Sequence, residues 1–507
     1  MNKINIKKSE YGDWQTNFPL ALSICKYLKK QGVDPQIVIE PTCGIGNFVL
    51  AAIEVFDSVE EIYAIEINTG YTQVLSEKLA HKNSTAKIHV INDSIFNVDL
   101  SQIKKNIGDK KILVIGNPPW VTNSKLGEYE SGNIPSKSNF KQNKGLDAIT
   151  GKGNFDIAEF ITYQMIEMIS GKSGTLAFLL KNSVIKNIVL EQKKCRHAIS
   201  DICQYHIDTH KEFNVSVAGS LLTLKAGRSV CRQCKVFDFY TKEYCKTFGW
   251  VDLSFVSDCK KYEETKMVDG VSPMKWWSGL KHDCTKVMEL TKVGDHYTNN
   301  MEESVKIEDD LVYPLLKSSD IKGEKISSCR KYVIVTQHHT SDNTSYIRER
   351  FPLTFNYLHE HIEYFRNRKS TIYKNRPDFC IFGIGDYSFK KYKIAISGLY
   401  KQTRFSLVDL IDGKEAMLDD TSYLLGFDDK FLATTTLKIL NSSLVQEFIE
   451  SVFFEDSKRP INKDLLMRID LLKALHLLGS VRLGLSDKEY CEYKNKICPQ
   501  PELSLVW

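Results

Sequence analysis

The sequence predicts an α/β fold: a seven-stranded, doubly wound sheet followed by a second, α+β domain. Three observations carry this expectation. Short apolar runs alternate with amphipathic, helix-length stretches through residues 1–228, the pattern of βαβ units around a parallel sheet. Four of those runs end in turn on Gly44/Gly46, Glu66, Asp93 and Asn117, and open α/β sheets place ligands at strand ends. Finally, 507 residues exceed what one ordinary core fills, and the composition shifts after Arg228.

The elements follow in order. A helix is expected from Thr16 through Leu28, with Pro19 in its first turn, where a missing amide costs no hydrogen bond. Gln36 to Glu40 (QIVIE) is a strand. It runs through Pro41-Thr42-Cys43-Gly44-Ile45-Gly46-Asn47 into a helix from Phe48 to Phe56. Gly44 and Gly46 let backbone approach a ligand as side chains would not. The turn is not GxGxxG and lacks a following Lys-Ser/Thr. A dinucleotide or nucleoside triphosphate is therefore disfavoured, and an adenosyl ligand without phosphates remains. The second strand, Glu61 to Ile67, ends at Glu66, placed to accept ribose hydroxyls; a solvated strand-end glutamate is the plain alternative. The third, Lys87 to Ile91, leads to Asp93, either an acceptor for an adenine amine or an Asx turn.

The fourth strand, Lys111 to Ile115, leads through Gly116 into Asn117-Pro118-Pro119-Trp120. Two prolines fix the backbone and remove two amide donors. Asn117 offers an acceptor oxygen and Trp120 a flat face. Together they suit a planar base bearing an exocyclic amine, or else a turn with a buried Trp. Residues 121–154 lack apolar periodicity, and Lys125 and Lys137 there can contact phosphate. A helix from Asp156 to Ile169, a strand from Gly174 to Leu180 and a helix from Ile188 to Ile199 come next. Strands Tyr205 to Asp208 and Ser220 to Leu224, joined by a hairpin-like connection, complete the sheet with an antiparallel last strand.

Hydrophobic residues make up 42% and charged residues 26% of the chain, which excludes a disordered or membrane-spanning class. The net charge of +5 permits a nucleic-acid partner without demanding one. The 13 cysteines are scattered and odd in number, and Met1 to Glu10 has no apolar signal core. Free thiols in the reducing cytoplasm are expected. Cys231 and Cys234 form a CxxC without a second pair, so no metal is expected.

Residues 229–300 are read as a connecting region with Trp276 and Trp277 in the core. His282-Asp283 reads as a surface helix start in preference to a catalytic pair. A second domain is expected over 301–507. It carries two basic clusters with interleaved tyrosines: Arg366, Arg368 and Lys369, then Lys390, Lys391 and Lys393. Such clusters suit phosphate contact and base-edge readout, or form a solvated charged face. No nuclease signature follows Pro377-Asp378.

Thr16 to Leu28, Glu40 to Gly46, Glu66, Asp93, Asn117 to Trp120 and Phe213-Asn214-Val215 together resemble the S-adenosylmethionine-dependent DNA methyltransferases that modify exocyclic amines. The likeness is to the amino-adenine class of restriction-modification systems with the cofactor half first; Trp120 stands where that family usually has Tyr or Phe. The resemblance implies a methyltransferase (Rossmann-like) sheet and a C-terminal target-recognition domain. S-adenosylmethionine would be held by Thr16, Glu40, Pro41, Gly44, Gly46, Glu66, Asp93 and Asn117. Asn117 to Trp120 would be catalytic, and Phe213 would face Trp120 across a flipped base. Implied partners are double-stranded DNA and a cognate restriction endonuclease, with no membrane and a monomeric chain. A cytosine 4-amino methyltransferase, an RNA or protein amide methyltransferase, and a non-enzymatic DNA-binding specificity module remain as alternatives.

Overall fold

The computed structural model describes residues 14–122, 156–227, 229–401, 403–455 and 459–497. The chain forms two compact units, Met1–Lys260 and Lys261–Trp507.

The first unit is built on one sheet. Its strands are β1 (Ile37–Glu40), β2 (Glu61–Ile65), β3 (Lys87–Ile91), β4 (Ile112–Gly116), β5 (Gly174–Lys181), β6 (Ile199–Ile207), β7 (Gly219–Ala226), β8 (Gln233–Asp238), β9 (Tyr244–Val251) and β10 (Ser254–Val256). Their spatial order is β10-β9-β8-β6-β7-β5-β4-β1-β2-β3. β1 pairs parallel with both β2 and β4, so the strand order reverses there and opens a crevice at the carboxyl ends. β7 runs antiparallel to β5 and β6. β1 and β4 are buried at every residue, as strands covered on both faces must be.

The helices are α1 (Phe18–Lys30), α2 (Asn47–Val55), α3 (Thr69–Ala80), α4 (Leu100–Ile107), α5 (Ile157–Ile169), α6 (Asn182–Cys195) and α7 (Thr209–Phe213). Leu20, Ile24, Phe48, Val38, Leu113, Leu179 and Leu221 share one core between sheet and helices. Asn17 caps α1 and Asn68 caps α3 with side-chain oxygens, satisfying amides that would otherwise lack partners.

Several expectations are corrected. Among the described residues the sheet has ten strands where seven were expected: residues 233–256 extend it beyond β6, and β8 pairs parallel with β6. The first unit therefore runs past 228 to Lys260, and part of the expected connecting region belongs to it. The helix expected at 188–199 is α6, beginning at Asn182 and ending where Arg196 takes a left-handed φ of 51°. β6 starts at Ile199, and the hairpin-like connection to its antiparallel neighbour β7 contains the short helix α7.

Among its described residues the second unit carries two sheets. One has Tyr392–Ser397 at its centre, between Ser422–Phe427 and Ser406–Val408. The other includes Glu289–Val293, His296–Asn299, Lys331–Ile334 and Val312–Leu316. Strands before residue 301 thus already belong to this unit. Trp276 is fully buried, whereas Trp277 is half-buried and stacks on Tyr387 at 4.3 Å. His282 is buried rather than at a surface helix start. Its Nδ1 accepts the Cys284 amide at 3.0 Å and its Nε2 lies 3.5 Å from Glu289. Among the described residues, no helix is long and apolar enough to cross a membrane.

Candidate active site

The crevice at the β1/β4 switch point gathers five segments: the ends of β1, β2, β3 and β4 and the stretch before α1. The turn after β1 enters α2 through Gly44 and Gly46, at φ of 52° and 78°, left-handed values that favour glycine. Space is as restrictive as conformation. An added Cβ at Gly44 would lie 2.3 Å from Gln15 Oε1, and one at Gly46 2.2 Å from Leu75 Cδ1. Gly46 occupies the N-cap of α2 and has no side chain to cap it. Glu40 does so from β1, accepting the Val49 amide at 3.2 Å. Glu40 is 2% exposed. Burial pushes its carboxyl well above the usual range, opposed by the Val49 bond and reinforced by the Glu66 charge. Pro41 is buried beside it.

Glu66 follows β2 and braces the turn: its carboxylate accepts the Gly44 amide at 2.8 Å and the Asn68 amide at 2.8 Å. Asn92, after β3, donates to the carbonyls of Glu66 and Ile67, locking two strand ends together. Asp93 is exposed and accepts from Ser94 N and Asn97 Nδ2 through Oδ1. Both of these bonds are local and fall on the same carboxylate oxygen.

The segment before α1 is a strap across these loops. Gln15 Oε1 accepts the Ile45 amide at 3.3 Å, and Asn47 Nδ2 donates to Thr16 O at 2.7 Å. Lys78 donates to Ile45 O and Asn47 Oδ1. The strap reaches Asn117 at the end of β4: Asn117 Nδ2 donates to Trp14 O at 2.7 Å. Asn117 Oδ1, Thr16 Oγ1 and Thr42 Oγ1 are buried without a hydrogen-bond partner. Buried polar atoms are rarely left so. Three of them on segments meeting at one glycine turn fit a polar ligand held there, and their mix of hydroxyl and amide oxygens suits one with amine and hydroxyl hydrogens.

Pro118 and Pro119 carry the chain from Asn117 to Trp120. Trp120 is 7% exposed, and its Nε1 donates to Leu179 O at 3.2 Å. Its ring centroid lies 5.8 Å from that of Phe213, with planes at 60°. That is direct aromatic contact. The two rings expected to face each other across a base are thus in contact in this structure, and both belong to the core.

Lys125 and Lys137 lie outside the described residues. In the second unit, Lys369 and Lys391 are exposed. Arg366 is exposed and pairs with Glu363 at 2.8 Å, and Lys390 pairs with Asp428. Two expected phosphate contacts are corrected. Arg368 donates to the carbonyls of Cys380 and His282 at 2.7 and 3.3 Å and covers the Tyr373 ring. Lys393 is 1% exposed and donates to Lys390 O at 2.8 Å. Lys393 is an internal strut, and Arg368, half-buried, braces two main-chain carbonyls.

Trp14, Gln15, Thr42 and Asn47 were not singled out by residue type. Trp14 acts through its main-chain carbonyl, which leaves no mark on a sequence. Thr42 and Asn47 flank the glycines, and their hydroxyl and amide were the available signal.

Strand order, switch point and glycine turn define an S-adenosylmethionine-dependent methyltransferase fold. The chain belongs to the Type II methyltransferases. It is 40% identical over 476 residues to the Type II methyltransferase M.NspV of Nostoc sp., covering 93% of this chain and 98% of that one. A similar solved structure is the Type IIL restriction-modification enzyme MmeI in complex with DNA. It shares 13% identity at a TM-score of 0.52, over 96% of this chain and 72% of that one. No family model matches the chain.

Proposed function

We propose that the chain methylates the exocyclic 6-amino group of an adenine flipped out of duplex DNA, as the modification component of a restriction-modification system. The observation that carries this reading is the orientation of Asn117. Its amide nitrogen is committed to Trp14 O, while its oxygen is buried and unpartnered. A buried acceptor held toward a site is what an amine donor needs.

S-adenosylmethionine, when bound, supplies an activated methyl group. Gly44 and Gly46 admit its methionine part, Glu66 its ribose and Asp93 its adenine amine, with Thr16 and Thr42 contributing hydroxyls. The remaining work belongs to Asn117 and Pro118. An aromatic amine is a poor nucleophile because its lone pair is delocalised into the ring. Asn117 Oδ1 accepts one amine hydrogen and Pro118 O the other, drawing the nitrogen toward pyramidal geometry and localising the lone pair. Neither oxygen is basic enough to keep a proton, so the surplus amine proton would pass to water after the new C–N bond forms at the expense of the methyl's bond to sulfur, which would leave as a neutral thioether. Rate enhancement comes from positioning and fixed dipoles, without a covalent enzyme intermediate. Extruding the base costs a few kcal/mol, and contacts beyond the site must offset it.

The test is expression in a methylation-free host followed by modification-sensitive sequencing of its DNA. 6-Methyladenine at one short site is expected. 4-Methylcytosine would transfer the same chemistry to the cytosine amine, and unmodified DNA would overturn the reading.

A further inference from the structure

Two stretches that lie far apart in sequence meet in one groove of the second unit. Residues 281–286 form one wall and residues 363–370 the other, around a groove of about 1090 Å³. We propose that this groove grips the sugar-phosphate backbone of duplex DNA outside the methylated base, with Lys286 and Lys369 as its phosphate contacts. The proposal rests on the DNA reading above and deepens it by naming where the second unit holds its partner.

Charge is the first argument. Lys281, Lys286, Arg368 and Lys369 line the groove against Asp283 and Glu363. Both acids are already engaged: Asp283 with Lys281 at 3.5 Å and Glu363 with Arg366 at 2.8 Å. Arg368 is spent on the floor, on the carbonyls of His282 and Cys380. Lys286 and Lys369 are exposed at the rim, and no ion pair is recorded for either among the described residues. They are the cations left to meet an anion.

Rigidity is the second. Arg368 ties one wall to the other through His282 O and covers Tyr373, whose hydroxyl donates to Lys281 O at 3.2 Å. His282 and Cys284 are buried beneath the first wall. The groove is thus a built cleft between pinned walls, and pinned walls cost little ordering entropy on binding. Tyr364, 42% exposed, lies beside Lys286, whose ammonium is 5.8 Å from its ring. Asn367 and Ser370 add neutral donors. Basic side chains, amide, hydroxyl and an open aromatic ring are the groups that contact phosphate and sugar.

The experiment uses the full chain and a 30-base-pair duplex of arbitrary sequence, with affinity measured across salt concentration. Lys286→Gln/Lys369→Gln should lower the slope of log affinity against log salt by about 1.8, near 0.9 per lost phosphate contact. S-adenosylmethionine affinity should be unchanged. A control, Lys306→Gln/Lys322→Gln, makes the same charge change at exposed sites outside the groove and should leave the slope alone. An unchanged slope in the groove variant, or an equal fall in the control, overturns the groove while leaving the methylation reading intact. A wild-type chain that binds no duplex overturns both.

Discussion

Asn117 and Trp14 are joined by a 2.7 Å hydrogen bond from the asparagine amide to the tryptophan carbonyl. The bond spans 103 positions of chain and resolves an ambiguity in the amide, whose two ends differ in what they can receive. With the nitrogen committed, the buried oxygen is the end left without a partner. The same strap bonds the glycine turn through Gln15 and Asn47, so loop and acceptor are positioned by one short segment.

Asn117→Ala removes the acceptor and should lower turnover by about 10²–10³-fold, the scale seen when one oriented dipole is lost from a reaction centre. Asn117→Asp should be no better, because a carboxylate cannot donate to Trp14 O. S-adenosylmethionine affinity should change only a few-fold in both. Turnover near the wild-type rate in Asn117→Ala would remove Asn117 from the chemistry, and in Asn117→Asp would show that the bond to Trp14 O is dispensable.

The parallel half of the sheet was legible because each strand is a short apolar run closed by a polar residue. β8 was not: its burial alternates and it carries Gln233 and Lys235 on exposed positions, so a strand paired on both sides reads as polar linker. Lys393 misled in the other direction. A lysine beside Lys390 and Lys391 looks like surface, yet all but the first residue of its strand is buried. Which face a residue takes depends on the partners of its strand, and those are set by long-range pairing. Trp120 was legible as an aromatic at the right strand end, but not the direction of its ring, which the Leu179 carbonyl fixes.

Glu40 makes stability depend on pH. Its folded pKa is raised by burial above its unfolded value. Above the unfolded pKa the native state therefore holds more protons than the unfolded state, and stability falls as pH rises toward the folded pKa. Glu40→Gln keeps an acceptor for Val49 and cannot ionise. Its melting temperature should match the wild type in acid and exceed it increasingly above about pH 4.3, the ordinary glutamate value. Parallel melting curves across pH would contradict a buried, reluctant carboxyl.

Lys393 carries the opposite sign. Burial lowers its pKa to about 7, with Glu415 acting to raise it. Between that value and the ordinary lysine range the unfolded chain binds the extra proton, so stability rises with pH across this window. Lys393→Met should therefore gain most at pH 6 and least near pH 10, less the cost of leaving Lys390 O without its donor. Duplex affinity and its salt slope should be unchanged. A lowered slope would restore Lys393 to the contact surface.

Gly219 holds the place of Trp120. An added Cβ there would lie 2.4 Å from Trp120 Cη2 and 3.1 Å from Thr209 Cγ2. Gly219→Ala must push the indole off its bond to Leu179 O, at a cost of about 1–3 kcal/mol for overpacking. Trp120→Phe alone removes the buried donor and leaves that carbonyl unsatisfied, about 1–3 kcal/mol again. The two changes should not add, because the smaller ring vacates the space that the new methyl needs. The double variant is expected to be more stable than the sum of the single losses, read from denaturant midpoints. Turnover should follow, since the Asn117 acceptor lies three residues from the displaced ring. Strict additivity would mean that the glycine is needed for something other than seating the indole.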